Sequence, residues 1–375
     1  MDLERLIENA LAIQRIPAPT FHEAERAEYM HNSFRAAGLK TVEMDAAGNV
    51  FARVGRGRGE PVVITAHMDS VFPPEQNHAA SRRGRRLHGP GIGDNAIALA
   101  TLLELAIDLP AAGLPNPAWL VANVAEEGLG NLLGMQHVLE RFGDRVRAYL
   151  VLEGMALGFV YHQGLPVRRI RLSAFTEGGH AWIHAGRPSA VHAVLSLGPQ
   201  LLAVAWPDGA RASLNVGRLQ GGTSVNTIAD QAQLEIDLRA TDEGVLASMV
   251  RQIETMIKQQ PSNDGIDWRL EAIGYRPGGQ LPADHPLLAA AQAAAADAGL
   301  DPLHLETGST DASLPLSLGL PAICLGLTRG GGAHSQQEFI ELDPIPVGYQ
   351  ALRGLIRRAA ELPAANQPTL GLAAD

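Results

Sequence analysis

The sequence predicts an α/β fold, a mostly parallel sheet with helices on both faces, and three observations carry that expectation. Short apolar, β-branched runs such as "PVVITA" at 61–66 have the composition of strands buried on both faces of a sheet. Longer stretches with helical spacing separate these runs, and strands that alternate with helices build parallel sheets. At 375 residues the chain exceeds one ordinary core, which stops growing near roughly 250–300 residues, so two domains or a large insertion are expected.

The elements follow in order. Residues 21–37 have helical spacing and stop before Gly38, a glycine suited to a helix C-terminus. "KTVEMD" and "NVFARV" alternate in polarity and are joined by a turn holding Gly48 and Asn49, the pattern of a hairpin. After "PVVITA" come an apolar helix at about 96–109, the strand "WLVANVA", a helix at about 132–142 and the strand "AYLVLE". The one basic cluster, "SRRGRR" at 81–86, is interrupted by glycine and reads as a solvated hairpin tip. Cys324, in the apolar run "AICLGL", reads as a small core residue.

Composition narrows the function. The chain is 46% hydrophobic and 19% charged, and it has no uncharged apolar run of about 18 residues that would span a bilayer, so a soluble protein is expected. The acidic start Met1-Asp2-Leu3-Glu4 does not resemble a secretory signal. A single cysteine cannot form an internal disulfide, which fits a reducing cytoplasm. With 30 basic against 40 acidic residues, the net charge of -10 argues against nucleic acid or an anionic membrane as a partner.

In parallel sheets, ligands bind beyond the carboxyl ends of the strands. There the sequence places its chemistry: His67 and Asp69 after one strand, Glu126 and Glu127 after the next, Glu153 after the third. Asp94 lies in "GPGIGDNA", a glycine-rich loop leading into a helix. Alone, Asp94 reads first as a helix N-cap in a tight turn, and the paired glutamates as solvated charge. Together, these carboxylates cost many kcal/mol to bury unless cations compensate them, so a metal centre is expected. Zinc takes imidazole nitrogen and carboxylate oxygen. Residues i and i+2 of an extended segment point the same way, so His67 can bind metal while Asp69 fixes its ring. Adjacent Glu126 and Glu127 point differently, which lets one bind metal and the other hold a proton.

The ordered set "HMD", "GPGIGDNA", "EEG", "LEG" and "GGGAHS" resembles the cocatalytic-zinc metallopeptidase family of glutamate carboxypeptidase, peptidase T, acetylornithine deacetylase, succinyl-diaminopimelate desuccinylase and aminoacylase. The match covers nearly the whole chain. The resemblance implies a zinc-exopeptidase type of fold, with His67, Asp94, Glu127, Glu153 and His334 as ligands of two zinc ions per subunit, manganese or cobalt being alternatives. It makes Asp94 the bridging ligand, Asp69 the support of His67 and Glu126 the general base. Residues 168–277 read strand, helix, strand, strand, helix, strand, and the family carries a small α+β lid used for dimerisation there. The expected division is therefore 1–167 and 278–375 for the catalytic domain, with 168–277 inserted and a homodimer formed through it.

Within that segment, His180 in "FTEGGHAWIHAGRPSAVHAV" resembles a histidine that reaches a neighbouring subunit's site to stabilise the tetrahedral intermediate. His180 and His184 are spaced like two zinc ligands of a helix, but Ala181 stands where a catalytic glutamate would be and the flanking glycines oppose a helix. Asn226 in "GGTSVNTIAD" matches a substrate-contacting asparagine, with a turn residue as the alternative. Arg276 in "GYRPGG" matches an arginine that clamps a substrate carboxylate, with an exposed arginine beside a proline turn as the alternative. The loop "ETGSTDASL" resembles one that lies beside the substrate. Two departures stand out: Asn95, Ala96 and Ile97 follow Asp94 where many members carry a basic residue and a glycine, and Trp182 is bulkier than the residue often found after the lid histidine. The expected activity is amide hydrolysis of a small peptide or an N-acyl amino acid. Glu153, where aminopeptidases more often carry aspartate, leans it toward a carboxypeptidase or dipeptidase. A tripeptide aminopeptidase, a deacylase and a non-catalytic peptide-binding protein are the alternatives.

Overall fold

The computed structural model describes residues 1–76, 78–261, 265–300 and 302–365. The fold divides into two units, one made of Met1–Gly164 together with the chain from Gly279 onward, the other of Leu165–Gly278.

In the first unit the described residues form a nine-stranded mixed sheet. Its centre is parallel: Ala118–Asn123, Val62–His67, Ala148–Glu153 and Ala322–Gly326 lie side by side, with the antiparallel hairpin of Val42–Met44 and Val50–Val54 at one edge. Val62–His67 is buried at every position, which is why its sequence shows no alternation. Each fully buried valine, leucine or isoleucine of such a strand contributes roughly 1.5–3 kcal/mol relative to exposure. The register pairs Val62 with Ala118 and His67 with Asn123, so the strands finish level and their polar last residues emerge at one edge. The apolar helix Ile97–Ala112 packs on three of these strands and on the helix Leu3–Gln14, whose Arg5 holds the buried Glu104 by bonds of 2.6 and 2.7 Å. It runs three residues beyond the expected 109, carrying Pro110 within its last turn. Ser81–Arg83 and Arg86–His88 form the expected hairpin, turning at Gly84 in the left-handed region.

The second unit is a four-stranded antiparallel sheet in the order Ala212–Gly221, Gln231–Ala240, Val167–Phe175, Asp267–Arg276. Its strands alternate. Ile170, Leu172, Ala174, Leu234, Ile236 and Leu238 form one buried face with the helices Ala190–Leu202 and Glu243–Lys258. The other face is a ladder of arginines and carboxylates. Arg171, flanked by Glu235 and Glu271 in register, bonds them at 2.9 and 3.1 Å, and Asp237 accepts from Arg169 at 3.0 Å and Arg239 at 2.7 Å.

Candidate metal centre

His67 closes its strand with 2% of its surface exposed. Its Nδ1 lies 3.1 Å from the backbone oxygen of Asp69 and 3.4 Å from Asp69 Oδ1. Both neighbours are acceptors, so Nδ1 carries a hydrogen and Nε2 is the nitrogen turned to the site. The Asp69 carboxylate makes its shorter bonds elsewhere. Oδ1 accepts from the backbone of Glu126 at 2.9 Å, and Oδ2 from the backbone of Glu127 at 2.8 Å and the hydroxyl of Thr20 at 2.9 Å. Asp69 thus supports His67 mainly through its main chain and fixes the glutamate pair through its side chain. The strand before that pair ends at Asn123, two residues short of the expected run, because Ala125 turns into the left-handed region with φ 53°. Its N–H donates to the buried Glu23 at 3.0 Å.

Asp94 leaves the glycine-rich loop at the start of the helical segment Ile92–Ala96 and is joined to Asn95 by a cis peptide bond. Its two oxygens face different imidazoles: Oδ1 lies 3.0 Å from His67 Nε2 and Oδ2 lies 3.1 Å from His334 Nε2. His334 Nε2 also meets Glu127 Oε1 at 3.1 Å, and Glu153 Oε2 stands 3.8 Å from His67 Nε2. One donor atom each of His67, Asp94 and Glu127 lie within 4.8 Å of one another, a grouping that can hold a metal ion. The structure thereby brings together the five residues that the resemblance implies as metal ligands, His67, Asp94, Glu127, Glu153 and His334.

The surroundings explain the small residues of the motifs. Asn95 is buried, donates to Leu152 O at 2.8 Å and accepts from Gly154 N at 3.1 Å, so its amide brackets Glu153. A lysine or arginine there could not make both bonds. A Cβ on Gly154 would stand 2.1 Å from the backbone oxygen of Gly93, so only glycine lets the two segments approach. Glu338 is buried beneath the loop and accepts N–H bonds from Gly91, Gly93 and Asp94 at 2.8, 2.7 and 2.9 Å.

Charge dominates this edge. Among the described residues, the ion pairs of Asp94, Glu127 and Glu153 are all with His67 and His334. Burial pushes the Glu153 carboxyl up to about 8, and burial together with the charge of Asp94 pushes Glu127 up to about 7. Burial opposes ionisation of Asp94 as well, but bonds from His334 and His67 outweigh it and hold this carboxyl well below the usual range. Bonds to Asp94 and Glu127 lift His334 to about 10. Imidazole protons are the positive charge within reach, and a divalent cation among the same nitrogen and oxygen atoms would replace them. The donor set of imidazole and carboxylate suits zinc, manganese or cobalt.

Glu126 is 5% exposed and close enough to Glu127, Glu153 and Asp311 to act on their ionisation. Asp311, in the loop whose role the sequence left open, is fully buried and accepts from Asn123 Nδ2 at 2.7 Å, which ties that loop to the end of Ala118–Asn123. Burial, then the charge of Glu126, lifts its carboxyl to about 7.

His180 and Asn226 lie in the second unit: His180 ends the two-residue strand Gly179–His180, which pairs antiparallel with Thr227–Ile228, Asn226 sits in the turn before that partner strand, and Ala181 N donates to Asn226 O at 2.9 Å. His180 Nδ1 accepts from the backbone of Trp182 at 3.2 Å and of Ile183 at 3.4 Å, so its Nε2 carries the hydrogen. His184 is not in a helix with it; its Nδ1 accepts from His180 N at 2.9 Å. Trp182 is 85% exposed. Arg276 closes the strand Asp267–Arg276 with 4% exposure, so the alternative of an exposed arginine beside a proline turn is corrected: cross-strand pairing with Val167 draws it into the sheet.

The sequence reading missed Glu23, Asp311 and Glu338. Most of their partners are backbone amides or side chains far away in the chain, which no local pattern announces.

The model of "Peptidase family M20/M25/M40" matches residues 63–358, nearly four-fifths of the chain. The succinyl-diaminopimelate desuccinylase of Corynebacterium glutamicum is 26% identical over 345 residues, covering 88% of this chain and 90% of that protein. A probable carboxypeptidase of Aspergillus clavatus is 23% identical over 384 residues, covering 92% of this chain and 87% of that one. Among solved structures, a tripeptidase from Staphylococcus aureus superposes with a TM-score of 0.76 at 20% identity, covering 96% of this chain and 99% of that chain. With the motifs in order and the buried nitrogen and oxygen cluster in place, the chain belongs to peptidase family M20/M25/M40 and is a metallopeptidase or amidohydrolase of that family.

Proposed function

We propose that the chain is an exopeptidase that hydrolyses the amide bond next to a free carboxylate in a small peptide, with two zinc ions held by His67, Asp94, Glu127, Glu153 and His334. The observation that carries the reading is Asp94, whose two oxygens each face a different imidazole, as a carboxylate shared between two ions must. Zinc bound there supplies Lewis acidity and lowers the pKa of water. Glu126 takes the proton of the attacking water on a carboxylate oxygen and passes it to the leaving amine nitrogen. His180, from a second copy in a homodimer formed through the Leu165–Gly278 unit, donates its Nε2–H to the developing oxyanion. The two backbone amides on its Nδ1 support that role, because they fix the donor tautomer. Asn226 contacts the substrate beside His180, and Arg276 pairs with its terminal carboxylate. The buried thiol of Cys324 supports a reducing, cytoplasmic setting. The desuccinylase and carboxypeptidase relatives support cleavage beside a carboxylate.

The test is amino-acid release from one tripeptide and from its N-acetylated and C-amidated forms, using protein stripped of metal and then given zinc. Zinc-dependent cleavage that survives acetylation and is lost on amidation is the expected outcome. The reverse pattern would establish an aminopeptidase, and no cleavage of any form would overturn the peptidase reading in favour of a narrow deacylase or a binding protein.

A further inference from the structure

Glu338 lies four residues beyond His334 and is fully buried. One carboxylate oxygen accepts the N–H of Gly93 and of Asp94, the other that of Gly91, at 2.7 to 2.9 Å. Its own backbone oxygen accepts from Gly89 at 3.0 Å. The strand that follows, Phe339–Glu341, pairs with Arg86–His88, the strand that leads into the same loop. Two segments some 240 residues apart are thus stitched by four hydrogen bonds to Glu338 and by a three-residue strand pairing, and one carries Asp94 while the other carries His334. Three N–H bonds converge on one buried side chain, so Gly91, Gly93 and Asp94 are held together at a single point. Its far side is closed too, since a Cβ on Gly93 would meet Met155 at 2.5 Å and Ile340 at 2.9 Å.

We propose that Glu338 is a positioning residue that holds Asp94 and His334 at a fixed separation and so sets the affinity of the centre for divalent cations, without touching metal or substrate. The inference rests on the reading of Asp94 and His334 as ligands. A tether that served the fold alone would affect melting of the metal-free protein and leave the affinity of folded molecules unchanged. A positioning residue does the opposite.

The experiment measures zinc affinity of the full-length, metal-stripped protein by competition with a chromophoric chelator, for wild type, E338Q, E338D and D94N. Glutamine keeps the size but turns a donor toward one of the three N–H groups. E338Q is expected to bind zinc about 10–100-fold more weakly, as loss of a partner behind a ligand commonly does, and E338D less so. Saturating zinc should restore most of kcat in E338Q with KM unchanged, and the metal-free variant should melt within a few degrees of wild type. Wild-type zinc affinity in folded E338Q overturns the proposal, whatever its melting temperature. If E338Q does not fold, hydrogen exchange of the metal-free wild type decides: protected amides at Gly91, Gly93 and Asp94 support the proposal and free exchange there overturns it. D94N separates the two readings. Should it also bind zinc like wild type, the ligand assignment fails and takes this proposal with it; lost binding in D94N with intact binding in E338Q defeats the role of Glu338 alone.

Discussion

The two units each gather acidic side chains on a sheet, and they balance them in opposite ways. On the open face of the Leu165–Gly278 sheet, Glu235, Glu271 and Asp237 are each matched by an arginine one strand away. At the binding edge of the other unit, the largely buried Asp94, Glu127 and Glu153 face two histidines, buried His67 and exposed His334. Arginine is always charged, so the first arrangement is closed and serves folding. Histidine and proton exchange for metal, so the second remains open to chemistry. The partner, rather than the number of carboxylates, tells a structural acid from a functional one.

The sharpest way to break this comparison is to neutralise one glutamate from each cluster. E126Q should lower kcat by about 10²–10⁴-fold while zinc content stays at the wild-type level, the scale of a lost general base. E235Q should leave kcat unchanged and cost about 1 kcal/mol of stability, the upper end for a solvent-exposed pair, because Glu235 is partly buried. Equal kinetic effects of the two would erase the distinction. A smaller effect is expected from the metal itself. Zinc at about 100 times its Kd should stabilise the protein by about 2.7 kcal/mol for each ion bound, read as a shift in melting temperature over the stripped form, with the same shift in E235Q and a reduced one in E153Q.

The smallest effect is a dependence on acid in the arginine ladder. Burial works to raise the Asp237 carboxyl, but bonds from Arg239 and Arg169 outweigh it and hold it below its ordinary value. A depressed carboxylate contributes stability above its unfolded pKa of about 3.9, and that contribution is lost as pH falls through the folded value. Melting temperature should therefore fall more steeply below about pH 4 in wild type than in D237N. Parallel curves would show that the ladder holds no linked stability.

Much of the catalytic edge was legible because it depends on local pattern. The apolar run "PVVITA" specifies a strand buried on both faces, and a strand that must end level with its neighbours puts His67 where ligands bind. Apart from the two-residue strands Gly179–His180 and Thr227–Ile228, the elements of Leu165–Gly278 run strand, helix, strand, strand, helix, strand, because each longer element carries its own period. What escaped depends on distant backbone. Nothing near Glu338 announces that it will accept three amides from residues 91–94, and Asn95 looked like a departure from a family pattern until its amide was seen to bracket Glu153. For Arg276 the alternative of an exposed arginine failed because "RPGG" reads as a turn, while the strand pairing with Val167 that goes with its burial joins segments more than a hundred residues apart.

The distance between Asp94 and His334 also sets a schedule. A ribosome adding about 5–20 residues per second needs roughly 12 to 48 s to cover the 240 residues between them. Until then Asp94 has no His334, the loop has no Glu338, and Ala148–Glu153 lacks the parallel neighbour Ala322–Gly326. While residues 154–333 are being made, the nascent chain therefore carries His67, Asp94, Glu127 and Glu153 without His334, and the proposed metal centre is completed only near the end of synthesis.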